Sequence, residues 1–192
     1  RDVLKDIKHD PARTMVVIDP RRTETAEQAN IHLQLRPGTD AFLLLALLST
    51  IVRENLHDQP FIDAHCTGFD AVKAALLQVP VADYAKRADV PLADVQGVAR
   101  GFAAAKRGCV RVDLGTQQTL HTTLNAYLEK LLYLITGNFG QVGSNNLHTA
   151  FLPLIGNTDE TKVKPGKSLK RTAFHKMMPI GGMYPPNILP DE

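Results

Sequence analysis

The stretch "MVVIDPRRTETAEQANIHLQLRPGTD", from Met15 to Asp40, decides how this chain folds. After Met15 its residues are β-branched and end abruptly at Asp19-Pro20, as a strand does when it runs into a turn. Thr25 followed by Gln28 has the form of a capping box and predicts the start of a short helix. "IHLQL" then alternates apolar and polar residues, the pattern of a half-exposed strand. Pro37 and Gly38 turn the chain. From Thr39 to about Leu56 the apolar residues are too dense for one narrow stripe, so this helix is expected at the centre of the core, against a sheet on one side and helices elsewhere.

Working outward, Val3, Leu4 and Ile7 share a helical face, and Pro11 closes that segment. The opening "RDVLKDIKHD" is charged throughout and has no apolar stretch of the kind a signal peptide needs. It reads as the middle of a helix without an initiating Met, which predicts that the chain belongs to something longer. Downstream, "FIDAH" and "FDAVKAALLQV" are helical, separated by Thr67 and Gly68, and Pro80 ends the second. "VADYAKRAD" and "PLADVQGVARGFAAAK" continue the helical run, with Pro91 at a first-turn position and Gly108 as its stop. "CVRVDLG" is β-branched and suits a further strand. After the turn at Gly115, Leu124, Leu128, Leu131, Leu132 and Ile135 keep helical spacing, with Gly137 as the C-cap.

This alternation predicts an α/β fold: a Rossmann-like, mostly parallel sheet flanked by helices over residues 1–146. Beyond Gly137 the character changes, and from Gly156 to Glu192 a tract rich in Gly, Pro, Lys and Asn shows little apolar periodicity. It is too long for an ordinary loop. Residues 147–192 are therefore expected to form an extended arm leading into a neighbouring domain.

The totals exclude several functions. The formal charge is +2 over 192 residues, and the basic residues are scattered, so nucleic acid is not an expected partner. The longest apolar run, Ala41 to Val52, is shorter than the roughly 20 residues a bilayer span requires. Cys66 and Cys109 stand far apart, which rules out a paired-cysteine zinc or iron–sulfur nest and predicts two buried thiols, a pattern that suits a reducing compartment. The seven histidines are dispersed, and there is no Gly-rich phosphate loop, no G-x-S-x-G and no GxGxxG. No catalytic or metal-ligating constellation is predicted.

The two turns point to a nucleotide instead. Ligands of open α/β sheets bind beyond the carboxyl ends of strands, and an acid there can take ribose hydroxyls. Asp19 is so placed, although it also suits a plain Asp-Pro brace. Asp40 opens a helix, where a carboxylate is favoured in any case, but an ionised carboxylate also matches the two adjacent N–H donors on guanine. Gly38 would let the backbone approach the base. Arg21 and Arg22 can meet phosphate or stay solvated.

These residues also carry a family likeness. "VVIDPRRTETAEQANIHLQLRPGTDAFLLLALLSTIVRENLHDQPFI" resembles the molybdopterin oxidoreductases of the dimethyl-sulfoxide-reductase type, a group that includes formate dehydrogenases and nitrate reductases. "HCTGFDAV", "ADVPLADVQGVARGFAAAK", "LGTQQT" and "LLYLITGNFGQVGSNN" extend the resemblance to about residues 1–146. It implies an internal part of a large subunit that carries bis-molybdopterin guanine dinucleotide with molybdenum or tungsten. Such an enzyme does two-electron redox chemistry on a small substrate such as formate or nitrate.

By the same resemblance the present domain grips the guanosine end of one cofactor. Asp19, Pro20 and Arg21 match the motif at the ribose and guanine side, Gly38 and Asp40 the guanine-contacting turn, and Gly115 and Gln118 the turn approaching the pterin. The family often has His after that Gln, whereas this chain has Thr119. The residue that binds the metal, the cysteines of a [4Fe-4S] cluster and the first strand of the sheet are all expected before Arg1, leaving the sheet incomplete at its N-terminal edge and the chain alone inert. The implied partners are the remaining domains of the same large subunit and electron-transfer subunits, in the cytoplasm or the periplasm. The rival is a freestanding, non-catalytic nucleotide-binding or interaction module with the same fold; a nicotinamide dehydrogenase is disfavoured by the missing glycine fingerprint.

Overall fold

A computed structural model describes residues 2–146 of the chain; the arm expected over 147–192 lies outside them. Helix α1 spans Asp2–His9 and packs on the short helix α2, Glu24–Gln28. Leu4 and Ile7 of its predicted apolar face are half-buried, while Val3 is exposed.

Strands β1 (Val16–Ile18) and β2 (Ile31–Leu33) lie parallel, pairing Val16 with Ile31, Val17 with His32 and Ile18 with Leu33. Helix α2 makes the crossover between them, and its N-cap is Thr23, whose hydroxyl accepts from the Ala26 N–H at 3.2 Å. The capping box predicted from Thr25 is therefore displaced by two residues. The cause is local: the Thr23 N–H donates to the Arg21 carbonyl at 2.9 Å, which ends the Asp-Pro turn at Thr23 and leaves Thr25 inside the helix.

Helix α3, Asp40–Arg53, forms the centre of the core as predicted, with Ala46, Leu48 and Ile51 fully buried. Its neighbours are α5 (Phe69–Leu77), α6 (Val81–Ala88), α7 (Leu92–Ala104) and α8 (Thr122–Ile135). Helix α4, Gln59–His65, packs against α8. The sheet reaches this core through Leu33 and Leu35 at the end of β2. Two hydroxyls are buried in α3, and both are satisfied: Ser49 donates to the Leu76 carbonyl at 2.8 Å and Thr50 to the Ala46 carbonyl at 2.8 Å. At the C-terminal end of α3, Glu54 receives two hydrogen bonds from Arg100 of α7, at 2.7 and 2.8 Å. That guanidinium holds the Glu54 carboxyl below its ordinary pKa.

The α/β character and the parallel pairing are as expected, but the sheet is smaller than the sequence suggested: among the described residues it consists of β1 and β2. Among the described residues, positions 109–113 of "CVRVDLG" join no strand. The Val110 N–H donates to Asn145 Oδ1 and its carbonyl accepts from Asn145 Nδ2, both at 2.8 Å, so a side-chain amide takes the place of a partner strand. The segment continues into a 3-10 helix, Leu114–Gln118. After α8, Gly137 takes the left-handed conformation at φ 68°, as predicted for the end of that helix.

Candidate functional site

The carboxyl ends of β1 and β2 meet at a braced turn. The Asp19 N–H donates to the Leu33 carbonyl at 3.3 Å, and Asp19 Oδ1 accepts from the Arg21 N–H at 2.7 Å. His32 Nε2 lies 2.9 Å from the Asp19 carbonyl; a carbonyl only accepts, so this nitrogen carries the proton. Gln34 Nε2 donates to the Pro20 carbonyl at 3.0 Å. Thus one Asp19 oxygen braces the turn, and the other has no hydrogen-bond partner among the described residues.

The second turn is built by Arg36, Pro37, Gly38 and Thr39. The Thr39 N–H donates to the Arg36 carbonyl at 3.2 Å, Pro37 supplies a fixed φ, and Gly38 takes φ +78°, a turn that requires glycine at its third position. A Cβ on Gly38 would meet nothing within 4 Å, so open space lies beside the backbone. Thr39 turns its hydroxyl to the Arg36 carbonyl and does not cap α3. Asp40 is half-buried, and its carboxylate has no partner among the described residues. The Arg36 N–H donates to the Ala88 carbonyl at 2.8 Å, which ties the tail of β2 to the end of α6.

Between these elements opens a cleft of about 520 Å³, lined by Pro20, His32, Gln34, Arg36, Asp89 and Asp94 among others. It lies beyond the carboxyl ends of both strands, and no ion pair among the described residues ties up Arg36, Asp89 or Asp94. Arg21 and Arg22 are exposed, and among the described residues nothing engages their guanidinium groups. The cleft therefore offers donors, acceptors and both signs of charge to a polar ligand.

Of the residues singled out from the sequence, Pro20 lines this cleft, with Asp19 and Arg21 on either side of it in the chain. Gly38 and Asp40 follow directly on the cleft residue Pro37 but do not line it. Gly115 and Gln118 sit apart, on the 3-10 helix before α8. A ring cluster brings the start of α8 to the start of α3: Phe42 meets Tyr84 edge-on at 5.0 Å and His121 at 6.2 Å, with the Arg87 guanidinium 5.3 Å above its ring.

Sequence reasoning missed His32, Gln34, Arg36, Asp89 and Asp94. The first three were within reach, because a period of two places them together on the face opposite Leu33 and Leu35. Asp89, the C-cap of α6, and Asp94, in the first turn of α7, carry no local signal of a site. The two buried thiols are also corrected: Cys66 is half-buried and Cys109 is exposed. Cys109 lies between Gly108 and Val110, whose backbones are held by Asn138 and Asn145, and alternation in an extended segment turns the intervening side chain outward. Among the described residues no group of three or more His, Cys, Asp or Glu side chains is placed to hold a metal ion, and no helix is long and apolar enough to cross a membrane.

No protein-family model matches the chain, but individual relatives do. It is 32% identical over 126 residues to the assimilatory nitrate reductase catalytic subunit of Bacillus subtilis, covering 66% of this chain and 18% of that protein. It is 32% identical over 135 residues to the F420-dependent formate dehydrogenase subunit alpha of Methanocaldococcus jannaschii, covering 70% of this chain and 20% of that one. Among solved structures, the acetylene hydratase from Pelobacter acetylenicus superposes with a TM-score of 0.65 at 29% identity, covering 68% of this chain and 18% of that chain. The chain thus spans about a fifth of the length of the curated relatives it matches. In sequence and in fold, it belongs to the molybdopterin oxidoreductases of the dimethyl-sulfoxide-reductase type.

Proposed function

We propose that this chain is the part of a molybdenum or tungsten oxidoreductase that holds the guanosine end of a molybdopterin guanine dinucleotide. The observation that carries the reading is the cleft beyond the carboxyl ends of β1 and β2, the place where α/β sheets take nucleotides. When bound, the metal-bearing pterin supplies two-electron redox chemistry on a small substrate such as formate or nitrate, and the protein supplies grip and orientation.

The residues present fit such a group. Guanine offers two adjacent N–H donors, and Asp40 offers a half-buried carboxylate that nothing among the described residues engages. The open space beside Gly38 gives a planar base room against the backbone. Arg21, Arg22 and Arg36 are cations available to a diphosphate, and the free oxygen of Asp19 is an acceptor for a ribose hydroxyl. Gly115 and Gln118, on their separate turn, would face the pterin half. Further domains of the same polypeptide, a [4Fe-4S] cluster held there and electron-transfer subunits complete the enzyme in this reading, with the cytoplasm as its compartment.

The test is equilibrium titration of the full chain with GMP and with AMP. GMP should bind more tightly, and Asp40→Asn should weaken GMP by about 1.5–3 kcal/mol, the value of a charge-assisted hydrogen bond, with little effect on AMP. Equal affinity for the two nucleotides, unchanged by the substitution, would remove Asp40 from the site and favour a freestanding module of another specificity.

A further inference from the structure

The 3-10 turn at Leu114–Gln118 is held by one buried side chain. Asn125, in the first turn of α8, is only 3% exposed. Its Nδ2 donates to the Thr116 carbonyl at 3.1 Å and to the Thr119 hydroxyl at 3.0 Å. Because the Thr116 carbonyl can only accept, the amide has one satisfactory orientation, and both of its N–H groups are used. The Thr119 hydroxyl in turn faces the Thr116 carbonyl at 3.4 Å, closing a small polar ring around the backbone on either side of Gln118.

The orientation leaves Asn125 Oδ1 buried without a partner among the described residues, a cost that an apolar residue on this leucine-rich helix would avoid. Packing alone therefore does not account for asparagine here; what it holds does. The chain leading into the turn is fixed as well, since the Gly108 N–H donates to Asn138 Oδ1 at 2.7 Å and Val110 is bonded at both ends by Asn145. Between these anchors Gly115 has nothing within 4 Å of where a Cβ would stand, and Gln118 is exposed. The turn is held firmly from within, and among the described residues nothing covers its outer surface.

We infer that Asn125 is a positioning residue that sets the Gly115–Gln118 turn for the pterin half of the cofactor. The inference rests on the proposed function for what the turn meets, but not for how it is held. Asn125 acts through the turn and does not touch the ligand, so it should govern affinity for the whole dinucleotide and leave the nucleotide end alone.

Two readouts on the full chain separate these levels: amide hydrogen exchange of residues 114–119 against that of α3, and binding of molybdopterin guanine dinucleotide against binding of GMP. Asn125→Asp, which sets a carboxylate against the Thr116 carbonyl, should speed exchange at 114–119 by about tenfold or more while α3 stays protected, the factor that corresponds to about 1.4 kcal/mol. It should weaken the dinucleotide by a similar factor and leave GMP unchanged. Thr119→Val, which keeps the shape and removes one acceptor, should show the same pattern more weakly, and Thr119→Ser should restore it. Unchanged exchange in both Asn125→Asp and Thr119→Val would overturn the positioning role. Equal losses for GMP and for the dinucleotide would show a merely structural residue. Should the unsubstituted chain bind neither ligand, the proposed function fails, and the exchange data alone decide whether Asn125 holds the turn.

Discussion

Gly137→Ala tests the packing at the end of α8 quantitatively. Gly137 has φ 68°, a conformation that costs a residue with a Cβ about 1–2 kcal/mol. The added Cβ would also overlap Asp58 Oδ2 and lie 3.1 Å from its Cγ. Asp58 is the N-cap of α4: its Oδ1 accepts from the Phe61 N–H at 3.0 Å, and displacing a cap costs about 0.5–2 kcal/mol. The two effects together predict a loss of about 1.5–4 kcal/mol in urea denaturation followed by circular dichroism. Gly140→Ala is the control, because Gly140 has φ 72° but nothing within 4 Å of a Cβ and should lose only the conformational part. In an Asp58→Ser background, where a shorter side chain still caps, Gly137→Ala should cost less, a coupling that a double-mutant cycle reads directly. Equal losses at Gly137 and Gly140, with no coupling to Asp58, would refute the reasoning.

Three further outcomes are expected. Leu47→Ala, at a core position that is 1% exposed, should cost about 2–5 kcal/mol in the same denaturation experiment. Asn145→Ala removes both hydrogen bonds to Val110 and should cost about 1–2 kcal/mol, with faster amide exchange at Val110 as its local signature. The Glu54 carboxyl is held below its ordinary pKa by Arg100, so its stabilising effect is complete above the unfolded value of about 4.3 and is lost as pH falls through the lower folded value. A stability difference between the unsubstituted chain and Glu54→Gln should accordingly shrink on acidification, and a difference that grows would contradict the pairing.

The parts of the fold that were legible in the sequence are those set by local chemistry. Helix α3 declared itself by apolar density, α8 by leucine spacing closed with Gly137, the first strand by β-branched residues ending at Asp-Pro, and the second by alternation ending at Pro-Gly. Helix α2 was legible as a helix, but its cap is Thr23 and not the expected Thr25, because the preceding turn ends there. Residues 109–114 read as a strand because β-branched composition reports extended backbone and says nothing about what pairs with it. The partner is the side chain of Asn145, which no periodicity reveals. At the cleft, Pro20 was marked by its turn, whereas Asp89 and Asp94 reach it through the packing of α6 and α7 on α3.

If a guanine nucleotide joined to a metal-bearing pterin is held here, as proposed, it should accompany the protein isolated from its natural source. Acid hydrolysis should release GMP, and elemental analysis of the same fraction should find molybdenum or tungsten. Protein that carries neither GMP nor metal would contradict the account.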